Sequence, residues 1–441
     1  MLMFLMNCYG WFPMRVFVRS FGCSANLADG EVLAGCLAAA GSMLVNSELD
    51  ADIVVYNSCA VKGPTEDRVI DALKRISKGK KVVVAGCLPL ISFERLMREV
   101  RFDGVVGPAV GEDIVNVVKR VAAGERVVEL GDALSSKPGL DLPRVKSNPV
   151  VSVVSVNYGC LGSCAYCCVV HARGHLRSYR IDEVVDRVKR DLAGGAKEFW
   201  VTSQDTACYG KEVGTDLAEL LNSLSLVDGD FCVRVGMMTP NLVTPMLTKL
   251  IEAFRSEKIY KFLHLPVQSG DDAVLKRMRR FYTVKDFKNI VGVFRKAFPL
   301  LTLSTDVICG FPGETDDAFE NTLRLIGEVE PDVVNVSKFF ARPQTAAAEM
   351  TSDFVERPEV KRRSTEAAKL AKQVALNQNQ QWLGWTGEIL VDEKGKTPGS
   401  WIGRNFAYKP IALKSSEDLL GRWIRVRVVK AFSTYLAAAF E

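Results

Sequence analysis

The residues best equipped for chemistry lie in Val150–Gly174, VVSVVSVNYGCLGSCAYCCVVHARG. Cys160, Cys164 and Cys167 follow the spacing C-x3-C-x2-C, which delivers three thiolates from one loop. A [4Fe–4S] cluster has four irons, and ferredoxin-type clusters close all of them with cysteine. Three thiolates leave one iron open. An open iron can chelate the amino and carboxylate groups of S-adenosylmethionine (SAM), hold its sulfonium close and pass it an electron. The competing reading is a zinc knuckle, which needs a fourth ligand from histidine or a second CxxC. The chain has only three histidines and no second CxxC.

Three further cysteines stand in a repeated context. Arg15–Phe21 alternates like a strand and runs into Gly22-Cys23. Asp52–Asn57 is a second expected strand, ending at Ser58-Cys59. Lys81–Ala85 is a third, ending at Gly86-Cys87. Helical patterns over Asn26–Ala40, Thr65–Ser77 and Asp113–Ala123 separate them, with a short strand near Val105. Such strand–helix alternation predicts a doubly wound parallel sheet. Ligands of open α/β sheets bind outside the carboxyl ends of the strands. Cys23, Cys59 and Cys87 are therefore expected to converge in one crevice as a second three-thiolate site, with buried sheet cysteine as the alternative. Cys36 and Cys309 read as core, Cys168 as a neighbour of the cluster loop, and Cys8 has no assigned role.

The elements that position the first loop follow from the second half of the chain. Residues 132–149, rich in proline and mixed charge, read as a linker. Val151–Val156, Lys197–Thr202, Cys232–Met237, Lys261–Val267, Leu301–Ile308 and Val333–Phe340 are expected strands, with helices such as Ile181–Leu192 and Asp286–Lys296 between them. Six such units predict a central partial (β/α)6 barrel, whose chemistry belongs at the carboxyl ends of its strands. The cysteine loop, Ser203-Gln204-Asp205, Met238, Gln268-Ser269 and Gly310 all fall there. Gln268 and Ser269 are candidates for the ribose or carboxylate of SAM. Gly310 would let the backbone approach adenine closely. Arg173 is a candidate contact for SAM or substrate, and His264 reads as a satisfied core histidine.

Beyond a helix-patterned Glu356–Lys372, the composition shifts at Trp385 to short strands, predicting a small all-β barrel. This segment has nine Lys/Arg against six Asp/Glu. Trp401, Phe406 and Tyr408 are interleaved with Arg404 and Lys409, a pattern that can stack bases and neutralise phosphates.

Taken together, FGCSANLADGE, NSCAVK, AGC, GCLGSCAYC with HARGHLRSY, TSQDTACYG, RVGMM, HLPVQSGDD, STDVICGFPGET and ARPQT resemble the methylthiotransferases, two-cluster radical-SAM enzymes. Tyr166 fits the aromatic place of the radical-SAM signature. The resemblance implies a first domain over 15–131, a radical-SAM domain over 150–383 and a TRAM barrel over 384–441 that binds tRNA. Details such as SANLADGE, HARG-x-L-x-SY and GRN-x-x-YKP resemble the archaeal and eukaryotic branch, which acts on N6-threonylcarbamoyladenosine at position 37 of tRNA. That branch implies two [4Fe–4S] clusters. SAM serves as both radical source and methyl donor, and sulfur is carried on the cluster of Cys23, Cys59 and Cys87. The two clusters are expected to face one another across a shared chamber. A ribosomal-protein aspartate methylthiotransferase and a non-catalytic Fe–S tRNA-binding protein remain as alternatives. Gln344, Ala207 and Thr239 depart from the family, which has glycine, glycine and asparagine there.

The 441 residues carry a net charge of +5 and ordinary globular composition, enough for two or three domains. The mild basic excess suits a polyanionic partner. Twelve scattered cysteines argue metal chemistry in a reducing cytoplasm rather than disulfides. The apolar opening, residues 1–13, is too short to span a bilayer and lacks a basic start. Residues 1–14 read as a loose extension. The expected partners are the tRNA anticodon loop and an electron donor such as ferredoxin or flavodoxin. No membrane association is expected, and the protein is expected to act as a soluble archaeal-type monomer.

Overall fold

The structure is a computed structural model, and it describes residues 14–61, 63–77, 79–131 and 135–441. Residues 1–13, with Cys8, and residues 132–134 of the expected linker lie outside the described residues. The chain forms two compact units. One runs up to Ser147 and takes in Cys168–His175; the other comprises Asn148–Cys167 and Leu176–Glu441.

The first unit is built on a six-stranded parallel sheet: β1 (Arg15–Ser20), β2 (Met43–Leu44), β3 (Ile53–Ser58), β4 (Lys81–Gly86), β5 (Gly104–Val106) and β6 (Val127–Glu129), in the order β2-β1-β3-β4-β5-β6. β3 is buried along its whole length and β4 almost so. That is what Ile/Val runs do when helices cover both faces of a parallel sheet. The helices Ser24–Ala39 and Ile114–Ala122 pack on one face through Val32, Leu33, Val117 and Val121. Gly63–Lys74 and Phe93–Glu99 cover the other, through Val69, Ile70 and Leu96. The short helix Val169–Arg173, just past the cysteine loop, joins this second face with Cys168 and Ala172 in its core. The stretch before Ser147 lies on the first helix. Ser147 donates twice to the Glu31 carboxylate, at 3.0 Å each, and a Cβ at Gly35 would run into Pro143.

The second unit opens with β7 (Val151–Ser155), followed by a short antiparallel pair, β8 (Asn157–Tyr158) and β9 (Arg177–Ser178), on either side of the cysteine loop. Five more parallel strands follow: β10 (Glu198–Thr202), β11 (Cys232–Val235), β12 (Phe262–His264), β13 (Thr302–Cys309) and β14 (Val333–Lys338). They pair as β7-β10-β11 and β12-β13-β14, and a parallel bridge between Val233 and Ile259 joins the two triplets. This is the expected six-unit half barrel. The helix Arg357–Gln380 packs on β14 and on the helix Asp316–Val329, burying Ala367, Ala371 and Val374, so its basic face is only partly solvated.

The end of the chain closes into a five-stranded barrel from β15 (Thr386–Lys394), β16 (Ser400–Arg404), β17 (Pro410–Lys414), β18 (Trp423–Ala431) and β19 (Leu436–Phe440), in the order β15-β16-β17-β19-β18. Sequence periodicity missed β16, because Gly403 and Arg404 interrupt its apolar alternation. The small barrel is seated on the amino ends of the half-barrel strands. Lys197 Nζ reaches the Gly421 carbonyl at 2.7 Å, and the Lys261 amide donates to the Phe406 carbonyl at 2.8 Å. Among the described residues, no helix is long and apolar enough to cross a membrane.

Candidate metal centres

Cys160, Cys164 and Cys167 leave the carboxyl end of β7, as the barrel geometry requires. Gly162 donates its amide to Cys160 Sγ at 3.1 Å. A Cβ at Gly162 would stand 3.3 Å from Cys160 Sγ and 3.6 Å from Cys164 Sγ, so the missing side chain keeps the space between the two sulfurs clear. Arg280 supplies a cation that the sequence reading passed over. Its Nη1 donates to Cys164 Sγ at 3.0 Å and its Nε to the Tyr282 hydroxyl at 3.0 Å. Its Nη2 is buried with no hydrogen-bond partner among the described residues. The basic run Lys276–Arg280 was the available signal, but contact across 116 residues is not visible in local pattern. Tyr166 packs edge-on against Phe311, with centroids 6.5 Å apart.

Cys208 is a second residue missed. Its S–H donates to the Asp205 carbonyl at 2.9 Å, and its side chain beside Cys160 holds the Cys160 thiol below its ordinary value. The interaction with Cys160, followed by burial, pushes the Cys208 thiol up.

In the first unit, Cys23, Cys59 and Cys87 follow β1, β3 and β4. Gly22 sits at φ +102°, and a Cβ on it would lie 2.6 Å from Cys59 Sγ. Burial pushes the Cys87 thiol up to about 12, and the Arg173 guanidinium acts against that shift. Cys59 is raised by burial and by Cys23, with Arg173 again opposing. Arg173 was expected at SAM or substrate. It is instead 2% exposed in this unit, bonded to Asp29 Oδ2 at 2.5 Å and to Asn26 Oδ1 at 3.0 Å. Asn26 in turn donates to the Phe21 and Ser58 carbonyls, at 2.8 and 3.0 Å, tying together the loops that carry Cys23 and Cys59.

The SAM candidates fare differently. Ser269 is fully buried and caps its own turn, accepting from the Asp271 amide at 3.2 Å. Gly310, at φ +76°, faces Val360, where a Cβ would come within 2.4 Å; its amide donates to Glu314 at 2.7 Å. Both positions are used by the fold. Gln268 holds φ +73°, a strained place for a non-glycine residue, while its side chain makes no hydrogen bond among the described residues. Gln204 Oε1 is buried without a hydrogen-bond partner among the described residues. The Asp205 carboxylate accepts from the amides of Ala207 and Thr239, at 3.0 and 3.2 Å, so two of the family departures share one anchor. His264 is not fully buried; its Nε2 meets both Asp306 oxygens at 3.2 Å. Cys36 and Cys309 are core, and Cys168 is buried beside Ala60.

The donor sets fit iron–sulfur clusters. Each has three thiols at strand ends and a buried arginine beside them, suited to an anionic cluster. Among the described residues no three His, Cys, Asp or Glu gather tightly enough to hold one metal ion. A four-iron cluster is wider than a single ion and takes its thiolates at separate corners.

The expected base-stacking set of the small barrel is largely internal. Lys409 is 3% exposed, bonded to Asp332 at 2.6 Å and to Asn379 at 2.7 Å. Arg404 pairs with Asp392 at 3.0 Å, Tyr408 packs on Tyr260 and Phe262, and Trp401 is buried. Of the five, Phe406 alone is exposed. The outward cations are Lys394, Lys396, Lys414, Arg422, Arg425, Arg427 and Lys430.

Residues 15–107 match the uncharacterized protein family UPF0004, residues 154–326 the radical SAM superfamily and residues 381–440 the TRAM domain. The chain is similar to a protein of Pyrococcus abyssi named "Probable threonylcarbamoyladenosine tRNA methylthiotransferase", 40% identical over 96% of this chain and 98% of that one. It is also similar to the threonylcarbamoyladenosine tRNA methylthiotransferase of Xenopus laevis, 35% identical over 95% of this chain and 75% of the relative. Among solved structures it is similar to the radical S-adenosylmethionine methyltransferase TsrM of Kitasatospora setae with cobalamin and a [4Fe-4S] cluster bound. That likeness has a TM-score of 0.55 at 12% identity, over 89% of this chain and 77% of the other, and is one of fold alone. On the strength of the relatives that match it almost end to end, this chain is an enzyme of the radical SAM superfamily and belongs to the threonylcarbamoyladenosine tRNA methylthiotransferase family.

Proposed function

We propose that the enzyme methylthiolates C2 of N6-threonylcarbamoyladenosine at position 37 of tRNA, using two [4Fe–4S] clusters and SAM as both radical source and methyl donor. The observation that carries this is the three-thiol loop at the head of β7, with Arg280 at 3.0 Å from Cys164. When bound, the cluster on Cys160, Cys164 and Cys167 supplies the electron that opens SAM, and the one on Cys23, Cys59 and Cys87 supplies sulfur. An adenine C2–H bond is unactivated, so a cofactor must carry the hard step while the protein positions the parts.

The chain's own residues have definable tasks. Arg280 offsets thiolate charge at Cys164, and Arg173 does so beside Cys59 and Cys87. Gln268 and Gln204 offer amide groups at the strand ends where SAM would lie. Two separate thiol sets suit a reaction in which one iron cannot both engage SAM and present sulfur. The outward cations of the TRAM barrel would hold tRNA phosphates, and unpaired anticodon-loop bases can be splayed into a protein site. We further infer a soluble cytoplasmic monomer reduced by a ferredoxin or flavodoxin.

The test is turnover of anaerobically reconstituted protein with tRNA bearing N6-threonylcarbamoyladenosine, read by mass spectrometry. The 2-methylthio nucleoside and 5′-deoxyadenosine should form together. Deoxyadenosine without the nucleoside product rejects this substrate and revives the ribosomal-protein reading. Neither product leaves a non-catalytic tRNA-binding protein.

A further inference from the structure

The inner wall of the half barrel carries a polar set that the radical chemistry does not use. Along β10 to β13, Phe199, Val201, Val233, Leu263, Leu303 and Val307 are wholly buried. The intervening Trp200, Arg234, His264 and Asp306 are only partly so. Successive strand residues point to opposite faces, and contacts across five adjacent strands put the second set on one face. Arg234 Cζ lies 5.6 Å from the Trp200 ring centre, 5.0 Å from Phe262 and 5.5 Å from Tyr408 of the TRAM barrel. His264 meets Asp306, and Asn335 donates to the same carboxylate at 2.7 Å.

Arg234 stands out in this set. Three aromatic faces hold its guanidinium in place. Among the described residues it makes no hydrogen bond and has no carboxylate within ion-pair distance. Arg404, also near the barrel floor, is by contrast committed to Asp392. A half-buried guanidinium with its hydrogen-bonding edge unused is a ready receptor for a planar anion, which it can bind through two parallel bonds. The polar wall formed by His264, Asp306 and Asn335 suits a polar substituent on the base better than a hydrocarbon one.

We propose that Arg234 is the carboxylate anchor of the substrate chamber and sets specificity for the threonylcarbamoyl group on N6. This rests on the function proposed above, because that group supplies the carboxylate. SAM also carries a carboxylate, and the experiment separates the two.

Anticodon stem-loop RNAs bearing N6-threonylcarbamoyladenosine, as the free acid or as its methyl ester, are compared on the reconstituted full chain. Wild type should prefer the acid by on the order of 10- to 100-fold in kcat/KM. Arg234→Met should lose that preference while handling the ester as wild type does, and Arg234→Lys should fall between. Undiminished preference in Arg234→Met overturns the assignment. Weaker SAM binding by Arg234→Met, with acid preference intact, transfers the anchor to SAM. Equilibrium binding of the two RNAs to wild type reads the same preference without turnover. Equal binding overturns the anchor, whereas preferential binding without product sinks only the proposed reaction.

Discussion

Gln344 sits at φ +64° in Arg342-Pro343-Gln344-Thr345, the place where the family has glycine. A residue with a Cβ pays on the order of 1 kcal/mol there. Gln344→Gly should therefore raise the melting temperature by roughly 1–2 °C in a scanning measurement, and an unchanged or lower value removes the strain argument. Gly22 is the opposite case, since its Cβ would displace Cys59 Sγ. Gly22→Ala should reduce reconstituted iron from about eight to about four per chain while leaving the other cluster; a full complement would free Gly22 of that role. At this scale the cysteines were legible, because thiol spacing and strand-end position are local properties. Arg280 and Cys208 were not, because each acts on a residue far away in sequence. The place of Arg173 beside Asp29 and Asn26 was not legible, because nothing local shows that the chain leaves the cysteine loop to join the first sheet.

At the scale of elements, most strands and helices were legible from period and punctuation, and so was their order. The TRAM segment shows where that fails. Arg404, Tyr408 and Lys409 look like a nucleic-acid face, yet they close the floor of the half barrel. Glu198, at the start of β10, is their focus. It accepts from Trp200 Nε1 at 2.5 Å, Tyr260 at 2.9 Å and Tyr408 at 3.3 Å, with Asp392, Arg404 and Cys232 close by. Burial, helped by Asp392, lifts its carboxyl to about 7. The folded chain therefore holds this proton more tightly than the unfolded one. Its contribution is complete below the unfolded glutamate value and is lost as pH rises towards 7. Thermal melts at pH 5 and pH 7.5 should show a loss of stability in wild type that Glu198→Gln reduces. An identical loss in both proteins would place the titrating group elsewhere.

For the whole molecule, the net charge of +5 says little until its positions are known. Lys409 and Arg404 are spent on carboxylates inside the protein, while Lys394, Lys396 and Lys414 face outward near one end of the small barrel, on the two strands that flank β16 and on the loop leading into it. None of these three has an ion-pair partner among the described residues. Arg425 and Arg427 also face outward but share Glu441, which lowers their net pull. Phosphate contacts release counterions, so each cation engaged steepens the fall of affinity with salt, by about 0.7 in log–log slope for single-stranded RNA. Replacing Lys394, Lys396 and Lys414 together with alanine should flatten the salt dependence of tRNA binding by about two, leaving the melting temperature nearly unchanged. Lys409→Ala should do the reverse, lowering the melting temperature by stranding buried Asp332 without changing the slope. Fluorescence anisotropy across a salt series, beside thermal melts, separates the two. If Lys409→Ala flattened the slope and the surface triple did not, the outward cations would not be the surface that meets tRNA.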